Sequence, residues 1–222
     1  MRMPATQHRG NAEAGPADPA SLCLDPELDA LGVRRSVARG ARVEPGRGAV
    51  LSIVRSGLAC RTPLDSGVCA GLLRAGDILE TETRLDGPTS QGWWMSDGVV
   101  EDIPLTALDD RYGRDVRQDL SELWMAQQLA GHQTALACAF RHRGSQRIAG
   151  WVAALAEADG VASIAQAQLA AMAGLQRTSV CAVMADLSSR GAVRIGRGKV
   201  TVRDRDVLLA ESCGCAHPHP RN

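Results

Sequence analysis

The sequence has few aromatic residues, no long apolar run and no ordered cysteine framework. It contains one Phe, one Tyr and four Trp, and no stretch approaches the roughly 18 apolar residues that a membrane helix needs. Its seven cysteines are an odd number scattered through apolar runs, unlike the pattern of a disulfide-stapled secreted domain. The N-terminal residues also lack the apolar segment of a secretory signal. These absences predict a soluble, cytoplasmic protein.

The residue patterns of common catalytic sites are missing as well. There is no phosphate-binding glycine loop, no nucleophile elbow and no His-Glu metal motif, and only five histidines occur. The segment Cys213–His219 contains metal-capable residue types, but its spacing fits no standard zinc pattern. We therefore expect no enzymatic activity, no cofactor and no metal.

The charge is distributed unevenly along a chain whose net charge is zero. Residues 1–140 contain 14 Arg and 19 acidic residues, whereas residues 141–222 contain 11 basic and 6 acidic residues. A basic surface attracts a polyanion, so the C-terminal part is the one expected to contact nucleic acid. A solvated surface with spare arginines would give the same balance, and charge alone does not decide between the two.

The N-terminal part predicts a tail followed by a small β-structure. Residues 1–35 are expected to form a mobile tail and a short helix at Pro26–Leu31. Residues 36–109 contain short β-favouring runs separated by glycine-containing turns, which is typical of an antiparallel barrel or roll. These runs are Val50–Val54, Val68–Leu73, Ile78–Leu79, Trp93–Met95 and Val99–Ile103.

Residues 110–141 predict one long helix, because apolar residues recur at a period of about 3.5–3.6. The apolar stripe of such a helix needs a partner. Dimerisation is one solution, with Leu120 and Leu136 at the contact. The alternative is that the stripe packs only within its own chain, since the heptads are imperfect.

Residues 142–215 predict a helix-turn-helix followed by a hairpin. An amphipathic helix over Ser145–Glu157 precedes two further helices, with Gly174 at the tight turn between them and Gly191 at the end of the second. Two short alternating strands then flank Gly196-Arg197-Gly198 as a basic wing. An ordinary packing unit of two helices and a hairpin is the alternative interpretation. Residues 216–222 are read as a tail.

Three segments of the sequence resemble the Crp/Fnr family of bacterial transcription regulators. They are Ser56–Arg61 with Leu72–Ile78, Arg143–Ala149, and Leu169–Gly191 with its wing. The resemblance implies an α+β fold with an N-terminal antiparallel β-roll of the cyclic-nucleotide-binding type, a long dimerisation helix and a C-terminal winged helix-turn-helix. It also implies a homodimer that binds duplex DNA and acts on RNA polymerase.

The sensor part departs from the ligand-binding members of this family. No Arg-Ser or Arg-Thr pair lies between the turn at Gly76-Asp77 and Glu101, and the segment Glu80–Glu101 is acidic, so cyclic nucleotide is not expected. Iron–sulfur members need several N-terminal cysteines, and Cys23 stands alone there. No histidine lies between His8 and His132, which removes an axial haem ligand from the roll.

The resemblance places the DNA contacts on the second helix and the wing. The candidate residues are Gln176, Arg177, Thr178, Ser179, Cys181, Ala182, Arg197 and Lys199. Arg177 would contact phosphate or guanine, and the two wing residues would contact phosphate. Thr178 replaces a glutamate that accepts from cytosine, and Ala182 replaces a base-reading arginine, so we expect a specificity different from the family norm.

The altered helix also leaves a second function open. The protein could instead modulate transcription through protein contacts, acting on RNA polymerase or a related regulator with little DNA binding of its own. The basic balance of residues 141–222 and the intact wing favour the DNA-binding hypothesis.

Overall fold

The computed structural model describes residues 23, 26–44, 46–63, 69–80, 90–156 and 159–215. The expected mobile tail at residues 1–20, much of the acidic Glu80–Glu101 segment and the tail at 216–222 lie outside the described residues. In chain order the elements are α1 Pro26–Asp29, β1 Val33–Val37, β2 Val50–Ser56, β3 Ala59–Pro63, β4 Gly71–Leu73, β5 Ile78–Glu80, β6 Ser90–Trp94, β7 Gly98–Pro104, α2 Leu105–Tyr112, α3 Arg114–Arg141, α4 Gly144–Leu155, β8 Val161–Ala162, α5 Gln166–Ala173, α6 Arg177–Ser189, β9 Val193–Gly196, β10 Lys199–Val202 and α7 Arg205–Ala210.

Two antiparallel sheets form the N-terminal roll. One has the strand order β1-β7-β2-β5 and the other β4-β3-β6. The chain passes from β2 to β3 through Gly57, whose φ is 91° and whose missing Cβ would lie 2.7 Å from the Asp97 carbonyl oxygen. A glycine is required at this crossing. Buried side chains of both sheets, including Val54, Trp94 and Val100, form a common core, and the predicted α+β class with an antiparallel roll is confirmed.

The sequence interpretation missed two strands of the roll. The first is β1, which pairs with β7 from Val33 opposite Asp102 to Val37 opposite Gly98. Residues 33–35 are therefore part of a strand and not of the tail and helix assigned to residues 1–35, whereas the expected short helix is present as α1. The second is β3, the central strand of the three-stranded sheet. Both strands carry arginine where an apolar residue would have signalled a strand.

An ion network holds the N-terminal segment against the four-stranded sheet. The Arg55 side chain lies 2.6 Å from the Glu101 carboxylate and 2.5 Å from that of Asp29, and it donates to the Cys23 carbonyl. Glu101 is fully buried, and this burial raises the pKa of its carboxyl although Arg55 opposes the shift. The short helix α1 is therefore fixed by side chains of β2 and β7.

The long helical region is two helices, which corrects the expectation of one helix over 110–141. Gly113, with φ 88° and ψ 162°, separates α2 from α3. Leu120, predicted at a dimer contact, is instead buried with Trp124 against Ile53 and Ile103 of the roll. Within the described part of the chain, no helix combines the length and the apolarity needed to cross a membrane.

The second half of α3 lies unusually close to the roll. A Cβ on Gly131 would stand 2.9 Å from the Ala70 carbonyl oxygen, so a larger residue would push the helix away from the segment that leads into β4. This approach closes one side of a cavity of about 430 Å³ between β4, α3 and the C-terminal helices.

The C-terminal half consists of α4 to α7 and a small sheet with the order β8-β10-β9. The helices bury Ile148, Leu169, Met172, Val180 and Met184 together. The hairpin of β9 and β10 is the expected wing. Strand β8 was not expected, and it pairs with the wing through Ala162 opposite Val200.

The roll contacts this C-terminal half directly. The Cys69 amide donates to the Met172 carbonyl at 3.2 Å, the Arg74 side chain donates to the Ala154 carbonyl at 2.9 Å, and Arg39 donates to the Ser163 carbonyl. Buried roll side chains, among them Cys60 and Cys69, belong to the same apolar cluster as the C-terminal helices. The two halves therefore share a core.

Candidate nucleic-acid interface

The turn between α5 and α6 is made by Gly174 in the left-handed conformation, with φ 62° and ψ 43°. The following residue, Leu175, donates its amide to the Ala170 carbonyl at 2.9 Å, which closes the last turn of α5. The sequence-based prediction of a positive φ at this position is confirmed. It sets the angle at which α6 leaves the turn.

Helix α6 has one buried face and one exposed face. Val180, Met184 and Leu187 are buried. The predicted contact residues Gln176, Arg177, Thr178, Ser179, Cys181 and Ala182 are all exposed. Because they occupy the first turns of α6 and its N-cap, they form a continuous surface at the N-terminal end of the helix.

The wing lies beside that end of α6. Arg177 lines the same groove as Lys199, Gly196 and Ile195, together with residues 164–167. Arg197 is exposed at the hairpin tip next to Gly198, whose φ is 69°, but it is not part of the groove lining. The structure thus brings Arg177 and Lys199 together and places Arg197 further out.

The cations of this surface are available for a ligand. Among the described residues, Arg177, Arg197 and Lys199 form no salt bridge, whereas Arg190 at the other end of α6 is bound to Asp186 at 2.5 Å and Glu211 at 2.6 Å. The positive end of the α6 dipole adds to the potential near Arg177. Anion binding is therefore favoured at the N-terminal end of the helix.

Two further residues of this surface were missed by the sequence interpretation. Gln166, the first residue of α5, accepts a hydrogen bond from the Cys181 thiol at 3.0 Å and lines the groove. Arg194 is exposed on β9 opposite Thr201. The alternation Val193-Arg194-Ile195 was a signal for Arg194, but the approach of Gln166 to α6 depends on how the two helices cross.

A second cluster lies at the edge of the cavity beside α3. The thiols of Cys138, Cys213 and Cys215 come within 4.8 Å of one another. Burial, together with the neighbouring Cys213 and Cys215, raises the pKa of the Cys138 thiol to about 12. The sequence interpretation considered Cys213 and Cys215 but not Cys138, because that residue is distant in the chain.

Comparison with known proteins identifies this architecture. Residues 146–211 match the family of Crp-like helix-turn-helix domains. No curated protein matches the sequence. The resemblance to Crp/Fnr regulators that the sequence indicated is confirmed for the helix-turn-helix domain and for the fold.

Solved structures share the fold over most of the chain. FixK2 from Bradyrhizobium japonicum is 15% identical, with a TM-score of 0.62 and coverage of 82% of this chain and 98% of that one. TTHB099, a CRP family transcriptional regulator from Thermus thermophilus, is 21% identical, with a TM-score of 0.63 and coverage of 80% and 96%. TTHA1359 of the CRP/FNR family, from the same organism, is 20% identical, with a TM-score of 0.64 and coverage of 81% and 98%.

The left-handed turn at Gly174 gives a stability prediction. Gly174→Ala should lower the free energy of unfolding by about 1–2 kcal/mol, because a side chain with Cβ is strained at positive φ. Gly174→Asn is the matched control and should lose less, since asparagine tolerates this conformation. Thermal or urea unfolding of the three proteins measures the difference. Equal stability of the Ala and Asn variants would contradict the assigned turn.

Proposed function

We propose that the protein is a homodimeric, sequence-specific DNA-binding transcription regulator of the Crp/Fnr type rather than an enzyme. The supporting observation is the unpaired cationic surface formed by the start of α6 and the wing, within a Crp-like helix-turn-helix domain. Such a regulator acts where the DNA is, in the cytoplasm, and would work through contact with RNA polymerase.

In this proposal α6 enters the major groove with its first turns. Gln176, Thr178 and Ser179 offer hydrogen-bonding groups to base edges, and the Ala182 methyl is suited to a thymine methyl. The Cys181 thiol completes this exposed surface next to Gln166. A surface without a glutamate or second arginine reads bases differently from the family norm, so the preferred site should also differ.

The cations are assigned to the phosphate backbone. Arg177 stands at the positive end of the helix dipole and shares a groove with Lys199. Arg197 extends from the wing tip. Cations in these places would fix the orientation of α6 on the duplex while contributing little to base selection.

The proposed dimer contact lies along one face of α3. Four apolar side chains are exposed there, Met125 at 47%, Leu129 at 59%, Leu136 at 60% and Phe140 at 83%. Leu129, Leu136 and Phe140 are spaced as core positions of a heptad repeat, and Met125 flanks them on the same side of the helix, so the four side chains form one apolar stripe. A second copy of α3 would cover this stripe, and the two recognition helices would then address two half-sites.

Cyclic nucleotide is not part of the proposal. Both backbone amides of the turn at Gly76-Asp77 already donate hydrogen bonds within the protein. The Gly76 amide donates to the Val54 carbonyl oxygen, and the Asp77 amide donates to the Arg74 carbonyl oxygen. The Asp77 carboxylate accepts the Arg74 amide at 2.7 Å. Amides that are already satisfied, next to a carboxylate, form a poor phosphate cradle.

The first prediction of this proposal concerns salt. Affinity for duplex DNA should fall at least about tenfold between about 50 and 200 mM salt, because several phosphate contacts release counterions. Arg197→Ala should reduce the slope, while Arg114→Ala, an exposed arginine on α3 that is distant in sequence from the wing, should not. Electrophoretic mobility shifts over a salt series measure both. Absence of any retardation would favour the alternative, a modulator that acts through protein contacts.

The second prediction concerns Arg177. If it holds phosphate, Arg177→Ala should weaken binding evenly across sequences and reduce the salt slope by about one unit. If it reads guanine, the same variant should cost about 1–3 kcal/mol on the preferred site and relax selection at one base pair per half-site. We expect phosphate holding. Arg190→Ala, at the far end of the same helix, is the control, and wild-type affinity of Arg177→Ala would contradict the placement of α6.

The third prediction concerns assembly. Leu129→Glu with Leu136→Glu should convert a dimer to a monomer, since each leucine contributes about 1.5–3 kcal/mol when buried. Val33→Glu, an exposed apolar position on β1 at 71%, should leave the dimer intact. Analytical ultracentrifugation separates these cases. A wild-type monomer, or an unchanged dimer in the double variant, would exclude this contact.

The fourth prediction concerns the roll. Titration calorimetry with cyclic AMP or cyclic GMP at millimolar concentration should give no binding heat. Both amides of the turn at Gly76-Asp77 already have acceptors, and no Arg-Ser or Arg-Thr pair lies between this turn and Glu101. A micromolar dissociation constant for either nucleotide would refute this.

A further inference from the structure

Three cysteines from two distant parts of the chain meet at one point. Cys138 lies in the last turn of α3, and Cys213 and Cys215 follow the end of α7. Their sulfur atoms all lie within 4.8 Å of one another, and each side chain is half-buried. The other four cysteines of the chain do not join this cluster.

One pair of sulfurs has the separation expected of two metal ligands. The Sγ atoms of Cys138 and Cys213 are 3.7 Å apart. With a zinc–sulfur bond of about 2.3 Å, two ligands of a tetrahedral site are separated by about 3.8 Å. A disulfide would require about 2.05 Å, so the observed spacing suits a shared ion.

The Cys213–Cys215 loop is already in a ligand-presenting conformation. Gly214 has a φ of 73°, and its amide donates to the Ser212 hydroxyl at 3.0 Å. The Cys213 amide donates to the Gln146 carbonyl of α4 at 3.3 Å. These bonds hold the loop against α4, so the two thiols face Cys138 without rearrangement of the chain.

The surroundings leave room for a fourth ligand. The cavity of about 430 Å³ is lined by Cys138, Cys213 and Cys215, and by Thr134 and Arg147. A water molecule or a small ligand would fit beside the sulfurs. Three sulfur donors select soft ions over magnesium or calcium, which prefer oxygen.

We propose that Cys138, Cys213 and Cys215 form a three-thiolate site for a thiophilic metal ion of the Zn²⁺ or Cu⁺ type. The ion joins the end of α3 to the end of the C-terminal domain, on either side of the short connection at residues 142–143. Its binding releases the thiol protons. The three cysteines are not among the proposed DNA-contact residues, so the metal proposal and the proposed function are tested independently.

The test is metal titration of the full chain, reduced and freed of metal. Zn²⁺ is titrated in competition with a chromophoric chelator, and Cu⁺ anaerobically with a Cu⁺-specific chelator. We expect one ion per chain for at least one of the two metals. Cys138→Ser should weaken its binding by more than about 100-fold, beyond the loss typical of changes outside the ligand set. Cys181→Ser removes an exposed thiol that is not in the cluster, and it should leave the metal affinity at the wild-type value.

Two further measurements keep the test independent of folding defects. Cd²⁺ as a probe should give a sulfur-to-metal charge-transfer band that weakens with each of the three cysteines replaced, in variants whose circular dichroism matches wild type. Hydrogen exchange at residues 212–215 should slow when the ion binds. Binding of neither Zn²⁺ nor Cu⁺ overturns the proposal. So does binding that survives Cys138→Ser but is lost when His217 and His219 are replaced, which would assign the ion to the C-terminal segment alone.

Discussion

The position of the helix-turn-helix depends on hydrogen bonds from the roll to two helix ends. The last carbonyls of a helix have no partner within it. Here the Cys69 amide satisfies Met172 at the end of α5, and the Arg74 side chain satisfies Ala154 at the end of α4. Cys69 precedes β4 and Arg74 directly follows it. If this strand moves, α4 and α5 must therefore move with it, or the two carbonyls lose their hydrogen bonds. The close passage of α3 at Gly131 holds the same region from the other side.

The helix-turn-helix was predictable from sequence because its signals are local. The glycine at 174, the glycine at 191 and the apolar period of α6 each act over a few residues, and together they specify two helices and a turn. Strand β1 offers no such signal. Its side chains include Arg34 and Arg35, and its pairing partners lie more than sixty residues later on β7. Pairing of that kind is determined by the roll as a whole.

In the candidate site, too, some residues were predictable from local sequence and others depend on contacts between distant elements. The exposed residues of α6 follow from helical periodicity, so the sequence placed them on one face. The groove shared by Arg177 and Lys199, the bond from Cys181 to Gln166 and the meeting of Cys138 with Cys213 depend on the packing of separate elements. No spacing rule links residues 75 positions apart. For Leu120 the helical period correctly predicted an apolar contact, but the contact is with the roll of the same chain and not with a second copy.

The two-residue strand β8 makes the wing part of the helix-turn-helix rather than an appendage. It pairs with β10 and leads through three residues into α5, so the wing and α6 keep a fixed separation. A duplex that meets both has to adopt the matching groove width and curvature. Bending a DNA site costs about 1–6 kcal/mol, and the cost depends on the sequence that is bent. Part of the sequence preference would then come from the flexibility of base steps that no side chain touches.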